Sequence, residues 1–282
     1  MRRADATRLV ALAALWGAAF LFMRIIAPAL GPLIAADTRV LIAAAALALY
    51  FRATGFDPQW RRWWREYAIV GAVNTALPFA LFAYAAVHIP AGLSAVLNAT
   101  SPIWGALLSA LVLRERLTAG RALGLAAGIA GVALIMHPEP GSAYPLPAVA
   151  AALGGALCYA LVGVYLKRRA QGVPGRGMAL GTQLAAGLML APFALASAPP
   201  APVTPLVAAC VLALGIFCGA VAFVLYFRLI SDIGPTGALT VTFLIPVFGV
   251  LFGALFLGET LGAWSLGGGA LVVAGTVLVL RK

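Results

Sequence analysis

Long apolar stretches separated by short polar segments run along the whole chain, and ten of them can be counted. A helix that crosses a membrane needs about 20 residues, which is close to the length of each stretch. None alternates apolar and polar residues over about ten positions, as a membrane barrel strand does. The pattern predicts an all-α polytopic membrane protein with ten transmembrane helices, over residues 8–28, 34–51, 67–88, 91–113, 119–136, 146–166, 178–198, 205–231, 235–257 and 263–280.

The composition excludes an ordinary soluble enzyme. Of the 282 residues, 63% are hydrophobic and 10% are charged, against roughly 45–50% and about 25% in soluble domains. The net charge of +11 comes from basic residues between apolar stretches, without the aromatic-rich basic stripe of a nucleic-acid-binding protein. The three cysteines lie inside apolar stretches without paired spacing. We therefore expect no nucleic-acid partner, no metal and no cofactor.

The distribution of lysine and arginine predicts the orientation, because basic residues in short loops stay on the cytoplasmic side. Along the ten stretches, 17 of the 19 basic residues fall on one side, together with both termini. We expect a multi-pass protein of the cytoplasmic (inner) membrane with cytoplasmic N- and C-termini. Arg24 and Arg39 are the exceptions. They lie close to Asp37 in the sequence, which leaves a local ion pair and an outer gate as interpretations.

The second half of the chain repeats the first. A shift of 144 residues places His88–Met136 on Asp232–Leu280 without a gap, with 15 identities in 49 positions. The matches include a proline, a glutamate and several glycines, which composition alone would not align. A shift of 143 residues sets Trp16–Arg24 against Tyr159–Lys167. The sequence predicts two five-helix repeats, at residues 1–140 and 141–282.

An odd number of crossings per repeat has a topological consequence. The second repeat must start on the side of the membrane opposite the first, so the two repeats are inverted. Inverted repeats are characteristic of secondary transporters, which bind their substrate near the midplane where the repeats meet. We therefore expect a central cavity that is exposed to the two sides in turn.

Several motifs resemble one superfamily. The first helix carries Leu15-Trp16-Gly17, and each half has a proline within a helix, then Glu-x-x-Leu and a glycine-rich helix. This pattern resembles the drug/metabolite transporter superfamily and, within it, the EamA-type exporters of ten helices. The resemblance implies export of small metabolites or drugs. One bacterial branch is associated with aromatic amino acids and methyl viologen, although Cys158-Tyr159 stands here where a tryptophan is frequent.

Three prolines are candidate hinges. Pro102 and Pro246 each lie 11 residues into their stretch, roughly 16 Å along a helix, and they enter from opposite faces. Pro78 shares one face of the third helix with Asn74 and Phe82. Because proline lacks an amide proton and crowds the carbonyl four residues back, each position predicts a kink, whose alternative role is simple packing.

Polar and aromatic side chains inside the stretches predict the wall of the cavity. Polar groups in hydrocarbon need a partner or water, and rings can stack on a planar ligand or hold an organic cation. Hydrogen bonding between helices and core packing are the alternative roles. The predicted substrate-binding residues are Trp16, Phe20, Asn74, Phe82, Asn98, Ser101, Tyr159, Gln183, Tyr226 and Thr242.

Glu115 and Glu259 come just before the fifth and tenth helices. A negative charge suits a helix N-terminus, so we expect each to cap the helix that follows it or to hold its loop in place, with a gate or a proton site as the alternative. No carboxylate lies at mid-membrane depth, and the nearest titratable groups are His88 and Asp232. We therefore expect exchange or facilitated passage of a neutral, zwitterionic or delocalised cationic ligand.

The leading hypothesis is a monomeric secondary transporter in the lipid bilayer that exports small metabolites by alternating access. Amino acids with aromatic or other apolar side chains are the expected substrates, with organic cations as a second class. A facilitative channel is the alternative. An intramembrane enzyme is disfavoured, because the two histidines, His88 and His137, lie at a helix end and in a loop, away from any buried nucleophile.

Overall fold

The computed structural model of the chain is a bundle of apolar helices. It describes residues 3–114, 118–137, 144–169, 172–238 and 240–280, without the side chains of 113, 235 and 236. Eight helices have at least 18 residues and can cross a membrane, and two have 17. They are α1 Arg3–Leu30, α2 Pro32–Ala53, α3 Trp60–His88, α4 Ala91–Val112, α5 Ala119–Ile135, α6 Leu146–Arg169, α7 Gly175–Leu195, α8 Pro205–Gly234, α9 Val241–Leu257 and α10 Ala263–Leu280.

Close packing of α5 on α10 shows how the two repeats are related. A Cβ atom on Gly124 would lie 2.7 Å from the carbonyl oxygen of Gly275, and one on Gly131 would lie 2.6 Å from that of Gly268. The start of α5 therefore meets the end of α10, so these two equivalent helices are antiparallel. The prediction of ten helices in two inverted five-helix repeats is confirmed.

The same symmetry governs the other helix pairs. α1 packs on α9 as α6 packs on α4, and α3 packs on α6 as α8 packs on α1. Two contacts between the repeats correspond to each other: Gly71 lets α3 approach the backbone of α7 at Thr182, and Gly215 lets α8 approach α2 at Arg39. The Cβ-to-carbonyl distances would be 3.0 and 3.1 Å. Shifts of 144 and 143 residues relate these two contacts, as they relate the sequences.

Helix α4 is broken where the sequence predicts a kink. Its first segment is Ala91–Asn98, and its second begins at Ser101. Pro102 has no amide proton for the carbonyl of Asn98, and the hydroxyl of Ser101 donates to that oxygen instead, at 2.7 Å. The next carbonyl, of Ala99, accepts from Thr276 on α10 at 2.7 Å. Side-chain hydroxyls thus donate to the backbone carbonyls that the break leaves without amide donors. Such donors are needed because the hydrocarbon of the membrane offers none.

The second proline of the repeat behaves differently. Helix α9 continues through Pro246 without a break. The chain instead turns before α9, at Gly234, whose φ of 77° only glycine adopts readily. In α3, Pro78 follows a π-helical segment, Ala72–Ala76, because it leaves the carbonyl of Asn74 without its usual donor. A π-helical segment, Leu214–Val221, also occurs in α8, where Ala222 stands at the position of Pro78.

The two ends of the bundle differ in charge. At one end, which we call the basic end, lie Arg52, Arg61, Arg114, Arg121, Lys167, Arg176 and Arg228. There Arg8 of α1 contacts Asp232 of α8 at 2.7 Å and Asp5 at 3.2 Å. At the opposite end, the connections at Gly31, Pro90 and Gly258 carry no basic residue.

The glycine contact between α5 and α10 can be tested by adding one methyl group. We predict that Gly131→Ala lowers the free energy of unfolding by about 1–3 kcal/mol, because the new Cβ would press on the Gly268 carbonyl. Gly267→Ala is the matched control, since its Cβ would meet nothing closer than 3.6 Å. Thermal unfolding in detergent measures both, and equal midpoints would show that the contact is not tight.

Candidate functional site

A cavity of about 580 Å³ lies between the two repeats. Its wall comes mainly from α1, α2, α3, α4, α6, α8 and α9, with Arg121 of α5 and the end of α10 at its rim, so both repeats are needed to form it. The lining reaches Ser109, Arg121, Lys167 and Leu280 at the basic end. Lys167 and Gly163 are exposed, whereas Met23 and Ala86, which line the other limit of the cavity, are buried. The cavity is therefore open toward the basic end.

Two aromatic clusters form facing parts of the wall. Trp16 contacts Tyr226 with ring centroids 5.3 Å apart and Phe223 at 6.2 Å. Phe82 contacts Phe20 at 5.7 Å and stacks on Tyr159 at 6.2 Å. The Trp16–Tyr226 and Tyr159–Phe82 pairs are related by the repeat. Such a surface suits an apolar or planar ligand.

The symmetry fails at one position that enlarges the cavity. The 143-residue shift places Phe20 on Gly163, and a Cβ atom on Gly163 would meet nothing within 4 Å. In the first repeat, the Phe20 ring packs on Phe82. Tyr226 is the equivalent of Phe82 in the second repeat, and the position equivalent to Phe20 has no ring there. The space at Gly163 and at Gly105, which is equally open, joins the cavity to the basic end.

Nine of the ten predicted substrate-binding residues line this cavity, among them the polar Asn74, Asn98, Ser101 and Thr242. The Ser101 hydroxyl already donates to the Asn98 carbonyl, so only its lone pairs face a ligand. Gln183 is the exception. It is buried in α7 outside the wall, with an Oε1 atom that has no hydrogen-bond partner, so the structure removes it from the candidate set.

Arg39 is the charged residue at the inner wall of the cavity. It lies on α2, roughly 10 Å along the helix from Pro32, and its guanidinium carbon sits 3.8 Å from the centroid of the Phe79 ring. The residue is 9% exposed. Arg121 and Lys167 add positive charge toward the open end, and no described aspartate or glutamate lines the cavity.

A polar seal closes the end away from the basic residues. Arg24 of α1 donates to the carbonyls of Ala86 and Val87 at 2.7 and 2.9 Å, and its Nε lies 3.5 Å from Glu259. The carboxylate of Glu259 also accepts from the backbone amides of Ala91 and Gly92 at 2.9 and 3.4 Å. These contacts tie α1, α3, α4 and the α9–α10 connection together.

One of the interpretations given for each set of charged residues is wrong, namely the ion pair with Asp37 and the capping of α10 by Glu259. Arg24 pairs with Glu259 and Arg39 lies over Phe79, so neither forms the ion pair expected with Asp37. Asp37 is buried, and its Oδ1 has no hydrogen-bond partner. Glu259 caps α4 rather than the helix that follows it, because the end of α9 packs beside the start of α4. Glu115 lies outside the described residues.

The positions of residues 37 and 39 on α2 explain why closeness in the sequence did not predict an ion pair. Two residues apart on a helix are about 200° apart around its axis, so side chains at those positions face different neighbours. An arginine inside an apolar stretch signals a functional site by default, and that signal was available for Arg39. Phe79, Phe223 and Cys218 also line the cavity. Cys218 stands at the repeat position of Asn74, within the π-helical segment of α8.

Inverted repeats around a cavity that is open at one end and sealed at the other define a membrane transporter. A model of the EamA-like transporter family matches residues 7–137 and again residues 146–281. The chain belongs to the EamA-like transporter family. Each match corresponds to five of the helices described above.

Named relatives agree with this assignment. The chain is 28% identical to the uncharacterized transporter YvbV of Bacillus subtilis over 254 residues, 89% of this chain and 83% of that protein. It is 27% identical to a probable terminal-alkyne amino-acid exporter of Streptantibioticus cattleyicolor over 271 residues, 95% of this chain and 90% of that protein. A crystal structure of a protein with 20% identity matches with a TM-score of 0.67, over 99% of this chain and 96% of the other. That likeness shows the same fold.

The seal makes a testable prediction. We expect Glu259→Gln to open the sealed end more often, because the amide loses the charge attraction to Arg24 and accepts more weakly from the α4 amides. Labelling of Met23→Cys by an impermeant maleimide in intact cells, with Cys158, Cys210 and Cys218 replaced by alanine, should quicken several-fold. Glu66→Gln at the basic end is the control. Identical labelling rates in the two variants would show that Glu259 does not hold the seal.

The break in α4 makes a second testable prediction. Pro102→Ala restores an amide donor for the Asn98 carbonyl, so α4 should straighten and exchange of conformations should slow. We expect a lower maximal transport rate with little change in the half-saturating concentration. Pro192→Ala in α7 is the control, since Pro192 lies in a helix but outside the cavity wall. Unchanged turnover in Pro102→Ala would identify the break as a packing feature.

Proposed function

We propose that the protein exports small amphipathic metabolites, above all amino acids with apolar or aromatic side chains, by alternating access. The observation that carries the proposal is the cavity between inverted repeats, open at the basic end and sealed at the other by Arg24 and Glu259. A cavity of about 580 Å³ that is lined by aromatic rings and a few amides and hydroxyls suits a small ligand that carries both apolar and polar groups.

The direction of transport follows from the orientation. Basic residues in short loops stay on the cytoplasmic side, so the basic end is the cytoplasmic end and both termini lie there, in the inner membrane. The cavity then faces the cytoplasm, where an export substrate is collected. Release requires the opposite end to open, which breaks the contacts of Arg24 and Glu259 and closes the basic end.

The choice of substrate rests on the wall. The facing rings of Trp16 with Tyr226 and of Phe82 with Tyr159 can enclose an apolar side chain, while Asn74 and Asn98 can accept from an ammonium group. The relative described as an amino-acid exporter supports the same class. An organic cation is less suited, because Arg39, Arg121 and Lys167 line the same cavity and repel positive charge.

Counterflow in proteoliposomes tests the proposal. Purified protein should exchange radiolabelled L-phenylalanine or L-leucine with saturable kinetics, and unlabelled ligand on the opposite side should stimulate the flux. We expect Trp16→Ala and Asn98→Ala to reduce this exchange about tenfold, since each removes a wall contact worth about 1.4 kcal/mol. Both variants should remain extractable in folded form.

Trp64→Ala is the matched control, because Trp64 is 57% exposed at the basic end and outside the cavity. It should transport like the wild type. A flux that rises linearly with concentration, without stimulation from the opposite side, would identify a channel in place of a carrier. Wild-type exchange by both wall variants would remove the cavity as the substrate site.

A further inference from the structure

The guanidinium of Arg39 in the cavity wall has no counter-charge among the described residues, and it points to the chemical group that the ligand carries. We propose that Arg39 binds a carboxylate of the transported molecule, with the ligand's apolar part against the aromatic clusters. The inference rests on the proposed transport function and deepens it, by assigning one ligand group to one side chain.

The first argument is that Arg39 lacks a counter-charge. Within the parts of the chain that the structure describes, no carboxylate lies within ion-pair distance of Arg39 and no acceptor lies within hydrogen-bond distance. Yet the residue is 91% buried, being 9% exposed. A buried charge is stable only when it is paired or hydrogen-bonded. Arg39 faces the cavity, so its partner there is water or a group of the bound ligand that replaces the water.

The second argument is that the protein holds Arg39 in place. Phe79 packs against one face of the guanidinium at 3.8 Å, which leaves the edge with its N–H donors available for a planar acceptor. Gly215 brings α8 against the Arg39 backbone, where a Cβ would lie 3.1 Å from the carbonyl oxygen. A guanidinium packed on one face by α3, on a backbone held close by α8, is suited to bidentate recognition, for which less conformational freedom is lost on binding.

The third argument concerns symmetry. The 143-residue shift places Arg39 on Thr182, which is buried in α7, donates to the Ala179 carbonyl and does not line the cavity. The charge is therefore present on one side of the site only. A packing role shared by both repeats would not require arginine in one and threonine in the other, whereas an asymmetric ligand would.

The fourth argument selects a carboxylate among anions. One deep guanidinium neutralises one negative charge and matches the two oxygens of a carboxylate. A phosphate or phosphonate carries more charge at neutral pH and would need further cations beside Arg39. The other basic lining residues, Arg121 and Lys167, lie at the open end, near the starts and ends of their helices.

Ligand-dependent thermal unfolding of purified full-length protein tests the assignment. The probes are L-phenylalanine, L-phenylalaninamide, 3-phenylpropanoate and benzylphosphonate, which share a ring and differ in the charged group. We expect the two carboxylates to stabilise the wild type at concentrations about tenfold lower than the amide or the phosphonate. Arg39→Gln should raise the half-saturating concentration of both carboxylates about tenfold, and it should not raise that of the amide, whose ammonium group Arg39 repels.

Two further variants complete the design. Arg39→Lys keeps the charge but loses the planar guanidinium that can donate to both carboxylate oxygens, so it should bind the carboxylates with intermediate strength. Arg52→Gln removes an equal charge from an exposed position on the same helix, and should bind like the wild type. If Arg39→Gln binds the carboxylates as the wild type does, or if no carboxylate shifts the wild-type midpoint, the assignment is wrong. Preference of the wild type for the amide or the phosphonate contradicts it equally.

The same ligands in the counterflow assay separate this inference from the proposed function. Saturable exchange without any preference for the carboxylates would contradict the role of Arg39 and leave the transport function standing. Stabilisation by carboxylates that Arg39→Gln abolishes, in a protein that transports none of them, would support the binding site and contradict the transport function.

Discussion

Hydrocarbon offers polar groups no hydrogen-bonding partner, so each polar group between the helices must be satisfied by the protein or by a wet cavity. This constraint explains the break in α4. Pro102 leaves a carbonyl without its amide donor, and Ser101 and Thr276 supply hydroxyls to the exposed backbone. It also explains why Glu259, Arg24 and the start of α4 meet, because each satisfies donors or acceptors that the others leave open. At Arg39, no carboxylate of the residues that the structure describes pairs with the charge, and the side chain faces the cavity.

The two repeats share the contacts that form the helix bundle, and they differ at residues that shape the cavity. The glycines of α5 and α10 are matched in both repeats because two helix backbones must come into contact there. The paired aromatic contacts of Trp16 and Tyr159 are likewise related by the repeat. By contrast, Phe20 against Gly163 and Arg39 against Thr182 differ between the repeats. These differences give the cavity its open side and its single deep charge, which a symmetric pair of repeats could not provide for an asymmetric ligand.

Helix number, the inverted repeats and the family were predictable because they depend on hydrophobic length, charge distribution and internal identity, which are properties of the chain read in order. Most of the cavity wall was predictable for the same reason, since polar and aromatic residues deep in apolar stretches have few other roles. The partners of the charged residues were not. Asp37 and Arg39 are neighbours in sequence but point to different sides of α2, and Gln183, which resembled a cavity residue, is packed elsewhere in α7.

The amino-acid sequence by itself determined that this chain crosses the membrane ten times as two inverted halves, because burial of apolar surface and the repeat pattern act locally or by simple alignment. Only the tertiary structure decided that Glu259 caps α4, that Arg24 joins it in the seal, and that Arg39 faces the cavity without a carboxylate partner in the described part of the chain. Those outcomes depend on which helix faces lie against each other. Packing of side chains from segments more than a hundred residues apart sets that arrangement, and no local pattern encodes it.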